Sequence, residues 1–184
     1  MFFKQLHVGP MQNFSYIIGD ERRKEAVVVD AGWEIDKLID ISNKEKLKIK
    51  KIILTHSHYD HIQKVDELAS KTDAEVYFHE DDYNEIKKFI NNPNIKIHKL
   101  KNNDEIKVGN IKIKVIHTPG HTPGAICLLF ESLQKLKKLK DDVEVYPGHD
   151  YGEIPFSTIG NEKKNNLYFK CESKEQFLNL LGLY

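Results

Sequence analysis

The stretch that most constrains this chain is Thr55-His56-Ser57-His58-Tyr59-Asp60-His61, which follows the apolar run Ile52-Ile53-Leu54 and precedes a helical pattern carrying Val65 and Leu68. A short apolar run of this kind is a buried strand, and its carboxyl end delivers the polar residues. Three imidazoles and a carboxylate so close together are costly to crowd unless a cation sits among them. A metal ion suits that donor set. In an extended segment residues i and i+2 share a side, so His56 and His58 can grip one ion as a pair. Asp60 and His61 fall where the strand gives way to a loop and helix, and point toward a second position. A polar turn carrying surface histidines would leave the crowding unexplained.

Elsewhere the pattern alternates strands and helices. Residues 2–8, 14–18 and 26–29 read as strands, the first two separated by Gly9-Pro10 and the third ending in Asp30-Ala31-Gly32. Residues 34–46 read as a covering helix through Ile35, Leu38 and Ile39. After the strand at 52–54, a helix is expected over 62–70 and a strand over 75–78. His79 with Glu80-Asp81-Asp82 reads as a cap and a solvated helix start. Residues 95–100, 105–108 and 111–117 form short strands, with Val108-Gly109-Asn110-Ile111 as a hairpin. The last of these ends in Thr118-Pro119-Gly120-His121-Thr122-Pro123-Gly124, two Pro-Gly turns around one histidine. A strand over 143–146 leads into Pro147-Gly148-His149-Asp150-Tyr151-Gly152, and helices follow at 157–166 and 173–181, the second with a Ser173/Gln176 capping box. His7, His98 and His117 are isolated or flank strands and read as structural.

The composition excludes several partners. Lys+Arg and Asp+Glu both total 28, so no global field recruits nucleic acid or an anionic membrane. Arg22 and Arg23 are the only arginines, which provides poorly for bidentate phosphate recognition. Cys127 and Cys171 form no CxxC pair and no long apolar run occurs, so a reducing, cytoplasmic setting is expected, with a small-molecule substrate and no membrane partner. At 184 residues the chain suits one domain, 1–184.

Three of these segments together, His56-Ser57-His58-Tyr59-Asp60-His61, the TPGHTPG loop at 118–124 and the PGHDYG turn at 147–152, resemble the signatures of the metallo-β-lactamase superfamily, and small glyoxalase II-like (hydroxyacylglutathione hydrolase-like) members above all. The resemblance implies an αβ/βα sandwich: two mixed sheets face to face with helices outside and metals at one sheet edge. It implies that His56, His58 and His121 hold one ion and that Asp60, His61 and His149 frame a second. The cofactor expected is zinc, one or two ions, with iron or manganese as alternatives. It also implies a hydrolase that uses the metal to activate water and polarise a thioester or ester carbonyl, with Asp60 orienting the nucleophile. Asn13 and Asp30 resemble positions behind that metal site, and turn chemistry alone explains them equally well.

One window departs from the family. Its usual second strand with a Gly-Asp turn has no counterpart after Ala125, so the aspartate that would bridge two ions is missing, along with a strand of the second sheet. Asp141, Asp142 and Glu144 lie nearby and offer a replacement only if they are not helix-end or strand-start residues. The loss leaves room for a degenerate relative with little turnover, or a persulfide dioxygenase-like iron enzyme, although the missing aspartate is one of that family's iron ligands. The gap must be closed, because unpaired backbone groups inside a sheet are costly. The preferred closure pairs residues 125–130 with 143–146 under a crossover helix at 131–140. The alternative borrows a strand from a second copy, so the chain is expected to be a monomer or a homodimer.

Overall fold

The computed structural model describes residues 1–125, 136–173, 176 and 179–180. Six strands form the main sheet in sequence order: β1 (Phe2–Val8), β2 (Asn13–Asp20), β3 (Glu25–Val29), β4 (Lys48–Ile53), β5 (Glu75–His79) and β6 (Ile97–Leu100). The first three pair antiparallel, and β3 to β6 pair parallel. Parallel neighbours need crossovers, which are α1 (Ile35–Lys44), α2 (Tyr59–Ile62) with α3 (Val65–Thr72), and α4 (Tyr83–Ile86) between two 3-10 turns. The single helix expected over 62–70 is thus two short ones, because Lys64 leaves the helical region at φ −106°, ψ 10°.

Side-chain alternation divides the core. Ala26, Val28, Ile52, Val76 and Phe78 face the helix layer with Leu38, Ile62 and Leu68. Val27, Ile53 and Tyr77 face the other way, onto the hairpin β7 (Glu105–Val108) and β8 (Ile111–Lys114) through Ile106 and Val108. The hairpin tip is pinned to the main sheet: Gly109 donates to Glu25 Oε2 at 2.9 Å and Asn110 to Asp20 Oδ2 at 2.7 Å. This layering is the mixed α/β sandwich expected.

Beyond it, β9 (Glu144–Val145) pairs antiparallel with β10 (Ser157–Thr158), and α5 (Ile159–Asn165) and α6 (Leu167–Lys170) follow. The helix expected from residue 157 therefore begins two residues later, with Thr158 as its cap, accepting from Asn161 N. The Ser173 hydroxyl accepts from Gln176 N at 3.2 Å, one half of the expected capping box, while Gln176 Oε1 accepts from Glu172 N at 2.8 Å and not from Ser173 N. The expected strand at 125–130 and most of its crossover lie outside the described residues, and with them the strand count of the second sheet. Among the described residues no helix is long and apolar enough to cross a membrane.

Phe78 is the largest fully buried side chain. Phe78→Ala should cost about 3–5 kcal/mol, read from urea unfolding by the fluorescence of Trp33, the single tryptophan, which packs against this core.

Candidate metal centre

The four parallel strands share one direction, so their carboxyl ends meet at one edge, where crevices in such sheets form. From β3 comes Asp30, in the left-handed region at φ 57° and 3% exposed. From β4 comes the loop 54–58, and α2 carries Asp60 and His61 in its first turn. The strand stops at Ile53, so His56 and His58 belong to an irregular turn and not to extended strand. Their rings still lie 4.8 Å apart, and His121 comes within 4.9 and 4.1 Å of them, centroid to centroid. Gly32 permits this packing: a Cβ there would sit 1.8 Å from the Asp60 carbonyl oxygen.

The six residues expected at the site fall into the two groups expected. His56, His58 and His121 offer ligand atoms within 4.8 Å of one another, and so do Asp60, His61 and His149. In the second group His61 Nε2 lies 3.1 Å from His149 Nε2 and 3.5 Å from Asp60 Oδ2, and His149 Nε2 is 3.6 Å from the same oxygen. Each donor is aimed by a partner behind it. His61 Nδ1 bonds Asp30 Oδ2 at 2.9 Å, His149 Nδ1 bonds the Met11 carbonyl at 3.0 Å, and Asn13 Nδ2 donates to Asp60 Oδ2 at 2.7 Å. A carboxylate and a carbonyl only accept, so both Nδ1 atoms carry hydrogen and both Nε2 atoms present lone pairs. Two lone pairs and a carboxylate facing one another repel unless a proton or a metal cation lies among them.

The first group has its own signature. His56 Nε2 is buried without a hydrogen-bond partner, while its Nδ1 meets Thr55 Oγ1 at 2.9 Å. Burial pulls the His56 pKa down to about 4, so its ring is a neutral donor throughout the physiological range. Burial, then the neighbouring His58, also lowers His121. For Asp60 burial pushes upward, but the Asn13 amide and His61 hold the carboxyl below its usual range. Burial opposes charge on His61, yet Asp30 holds it above the ordinary value. A neutral His56 with an orphaned buried nitrogen, an ionised Asp60 and a His61 aimed and made more basic by Asp30 are what a transition-metal site requires, so these residues fit the metal that the motifs imply.

Asn13 and Asp30 therefore serve more than turns: each contacts a donor of the second group directly. The loop of His121 has an anchor that sequence reading missed. Asp82, 2% exposed, accepts from Thr122 Oγ1 at 2.6 Å and Gly124 N at 2.8 Å, and Gly124 has no room for a Cβ against it. The expected solvated helix start is thus wrong for Asp82, which turns inward as the 3-10 turn winds; three successive acids give no sign of which one does. His79 caps that turn as expected, its Nδ1 accepting from Asp81 N, and stacks on His117 at 3.6 Å. The parallel rings and the bond of His117 Nε2 to the Pro123 carbonyl make a packing pair, although with Asp81 they form a further possible donor group, as Asp30, His56 and His61 also do. The carboxylates near the missing segment are occupied otherwise. Asp141 pairs with Lys163 at 2.6 Å, Glu144 accepts from Tyr146, and neither they nor Asp142 join a donor group among the described residues.

Residues 8–134 match the model of the metallo-β-lactamase superfamily. The chain belongs to that superfamily. It is 32% identical over 197 aligned positions to the probable polyketide biosynthesis zinc-dependent hydrolase BaeB of Bacillus velezensis, covering 91% of this chain and 86% of that protein. It is 28% identical to a hydroxyacylglutathione hydrolase of Francisella tularensis subsp. novicida, covering 86% and 72%. A crystal structure of a metallo-β-lactamase from Staphylococcus aureus superposes with a TM-score of 0.88 at 28% identity, over 98% of this chain and 66% of that one. A superfamily member with these relatives is a metal-dependent hydrolase acting on small molecules.

Asp82→Ala should release the His121 loop and weaken zinc binding about tenfold or more, measured by competition with a chelator. Asp82→Asn keeps one acceptor oxygen and should lose less.

Proposed function

We propose that this chain is a zinc-dependent hydrolase of thioesters, with His56, His58 and His121 holding one ion and Asp60, His61 and His149 the second. The observation that carries the reading is the convergence of lone pairs at the carboxyl edge of the sheet, those of the second group each backed by a partner that fixes its direction. Zinc is favoured over iron or manganese by the imidazole-rich donors and by a relative named as zinc-dependent. A relative named for hydrolysing hydroxyacylglutathione, itself a thioester, supports the substrate class.

A bound zinc ion supplies Lewis acidity, acidifying water and polarising a carbonyl. The chain's own residues do the positioning. The Asn13 amide fixes Asp60, whose ionised carboxylate can accept a hydrogen bond from a water beside the donors and turn its lone pair toward the substrate. Asp30 holds a proton at Nδ1 of His61, which makes the ring more basic and leaves Nε2 as the nitrogen turned toward the centre, and the Met11 carbonyl orients His149 the same way. Neutral His56 needs no deprotonation before it binds.

Six ligands with one carboxylate leave two dications poorly compensated, and the second position depends most on the missing bridge. Removal of metal by a chelator should therefore proceed in two stages, the second position emptying first. Release of both equivalents in one stage would count against this order.

His58→Ala should lose most of the metal of the first position and about a hundredfold or more of thioester kcat/KM. Wild-type metal content in that variant would overturn the ligand assignment. Zinc-loaded protein that leaves thioesters intact while cleaving other esters would overturn the substrate class.

A further inference from the structure

Immediately after His149 the chain leaves three large apolar side chains in the open: Tyr151 is 70% exposed, Ile154 59% and Phe156 42%. Together with Val145 and Pro147 they line a cavity of about 440 Å³ with His149 in its wall. Within the range of small-molecule pockets, an apolar hollow beside a set of convergent polar donors is where a substrate belongs.

The apolar wall is held in place. Phe156 stacks on Tyr146 at 5.7 Å, and Tyr146 packs on Phe3 at 4.7 Å. The Tyr16 hydroxyl donates to the Pro147 carbonyl, and Gln5 Nε2 donates to Pro155 O at 2.9 Å. Tyr151 stacks on His149 at 4.7 Å and donates to the Met11 carbonyl, the same oxygen that orients His149. A wall tied to β1, to β2 and to a donor cannot fold away to hide its apolar surface, so it is preorganised for an apolar guest.

Charge narrows the guest. The ionisable groups on the described wall besides His149 and Tyr151 are Glu153 and Glu162, and no lysine or arginine is among them. An anionic group lodged in the hollow would meet two carboxylates and no lysine or arginine, its one positive neighbour being a metal held on the far side of His149.

We propose that this cavity receives an uncharged, apolar acyl chain of the thioester, and that an acyl chain ending in a carboxylate is discriminated against. The proposal rests on the thioester reading, but the site's preference can be measured without turnover. Thioethers lack the scissile carbonyl, so binding of S-alkyl-N-acetylcysteamines, butyl to octyl, and of their ω-carboxyalkyl counterparts, to the zinc-loaded full chain reports on the cavity by isothermal titration. Each methylene should tighten the alkyl series about two- to fourfold. The ω-carboxyoctyl thioether should bind at least about tenfold more weakly than the octyl one. Phe156→Asp and, separately, Ile154→Asp should flatten the chain-length dependence with metal content unchanged. Affinity independent of chain length, dependence that survives both substitutions, equal or tighter binding of the carboxyalkyl series, or no binding of the octyl compound would each overturn the proposal. Failure to cleave any thioester would instead overturn the thioester reading, in a separate assay.

Discussion

The Asp30 carboxylate is the contact on which this edge of the molecule depends. It is buried at the end of β3 and accepts from the Thr55 amide and hydroxyl, each at 2.8 Å, and bonds His61 Nδ1 at 2.9 Å. One side chain thereby ties the strand before the first crossover to the loop and helix that open the second, and sets the tautomer of a candidate ligand. The charge is tolerated in the interior because it is surrounded by donors, as a buried carboxylate must be. Asp30 adopts the left-handed backbone region that Asn and Asp visit more readily than most residues.

Around that contact the fold supplies pieces from distant parts of the chain. Asn13 opens β2 and holds Asp60; Asp82 follows β5 and holds the loop of His121; the Met11 carbonyl holds His149. The segment bearing His149 joins the main sheet through an isolated bridge to Asn13 and through Phe14 N donating to the Gly148 carbonyl at 2.9 Å. Such outer partners govern metal affinity nearly as much as ligands do, since they fix ring direction and protonation in advance.

The centre has six candidate ligands of which one, Asp60, is anionic. Asp141 and Glu144 add no second carboxylate among the described residues, because Lys163 and Tyr146 engage them at the end of α5 and beside β9. The described surface next to His149 is the apolar hollow of residues 145–156.

The sequence by itself determined the strand that delivers His56 to His61, the two Pro-Gly and Gly turns that carry His121 and His149, and the family with its layered fold. These were legible because donor crowding and turn chemistry act over a few residues and leave a local pattern. The two-group division of the donors was legible too, although it came from an extended segment that turned out to be a loop. Only the tertiary structure decided that Asp82 is buried while Glu80 and Asp81 stay nearer the surface, that Asn13 and Asp30 touch the donors, and that Tyr151, Ile154 and Phe156 stand exposed beside His149. Each of those facts depends on which side chain meets a residue tens of positions away. Burial and long-range hydrogen bonding have no local signature, so no reading of neighbours along the chain could supply them.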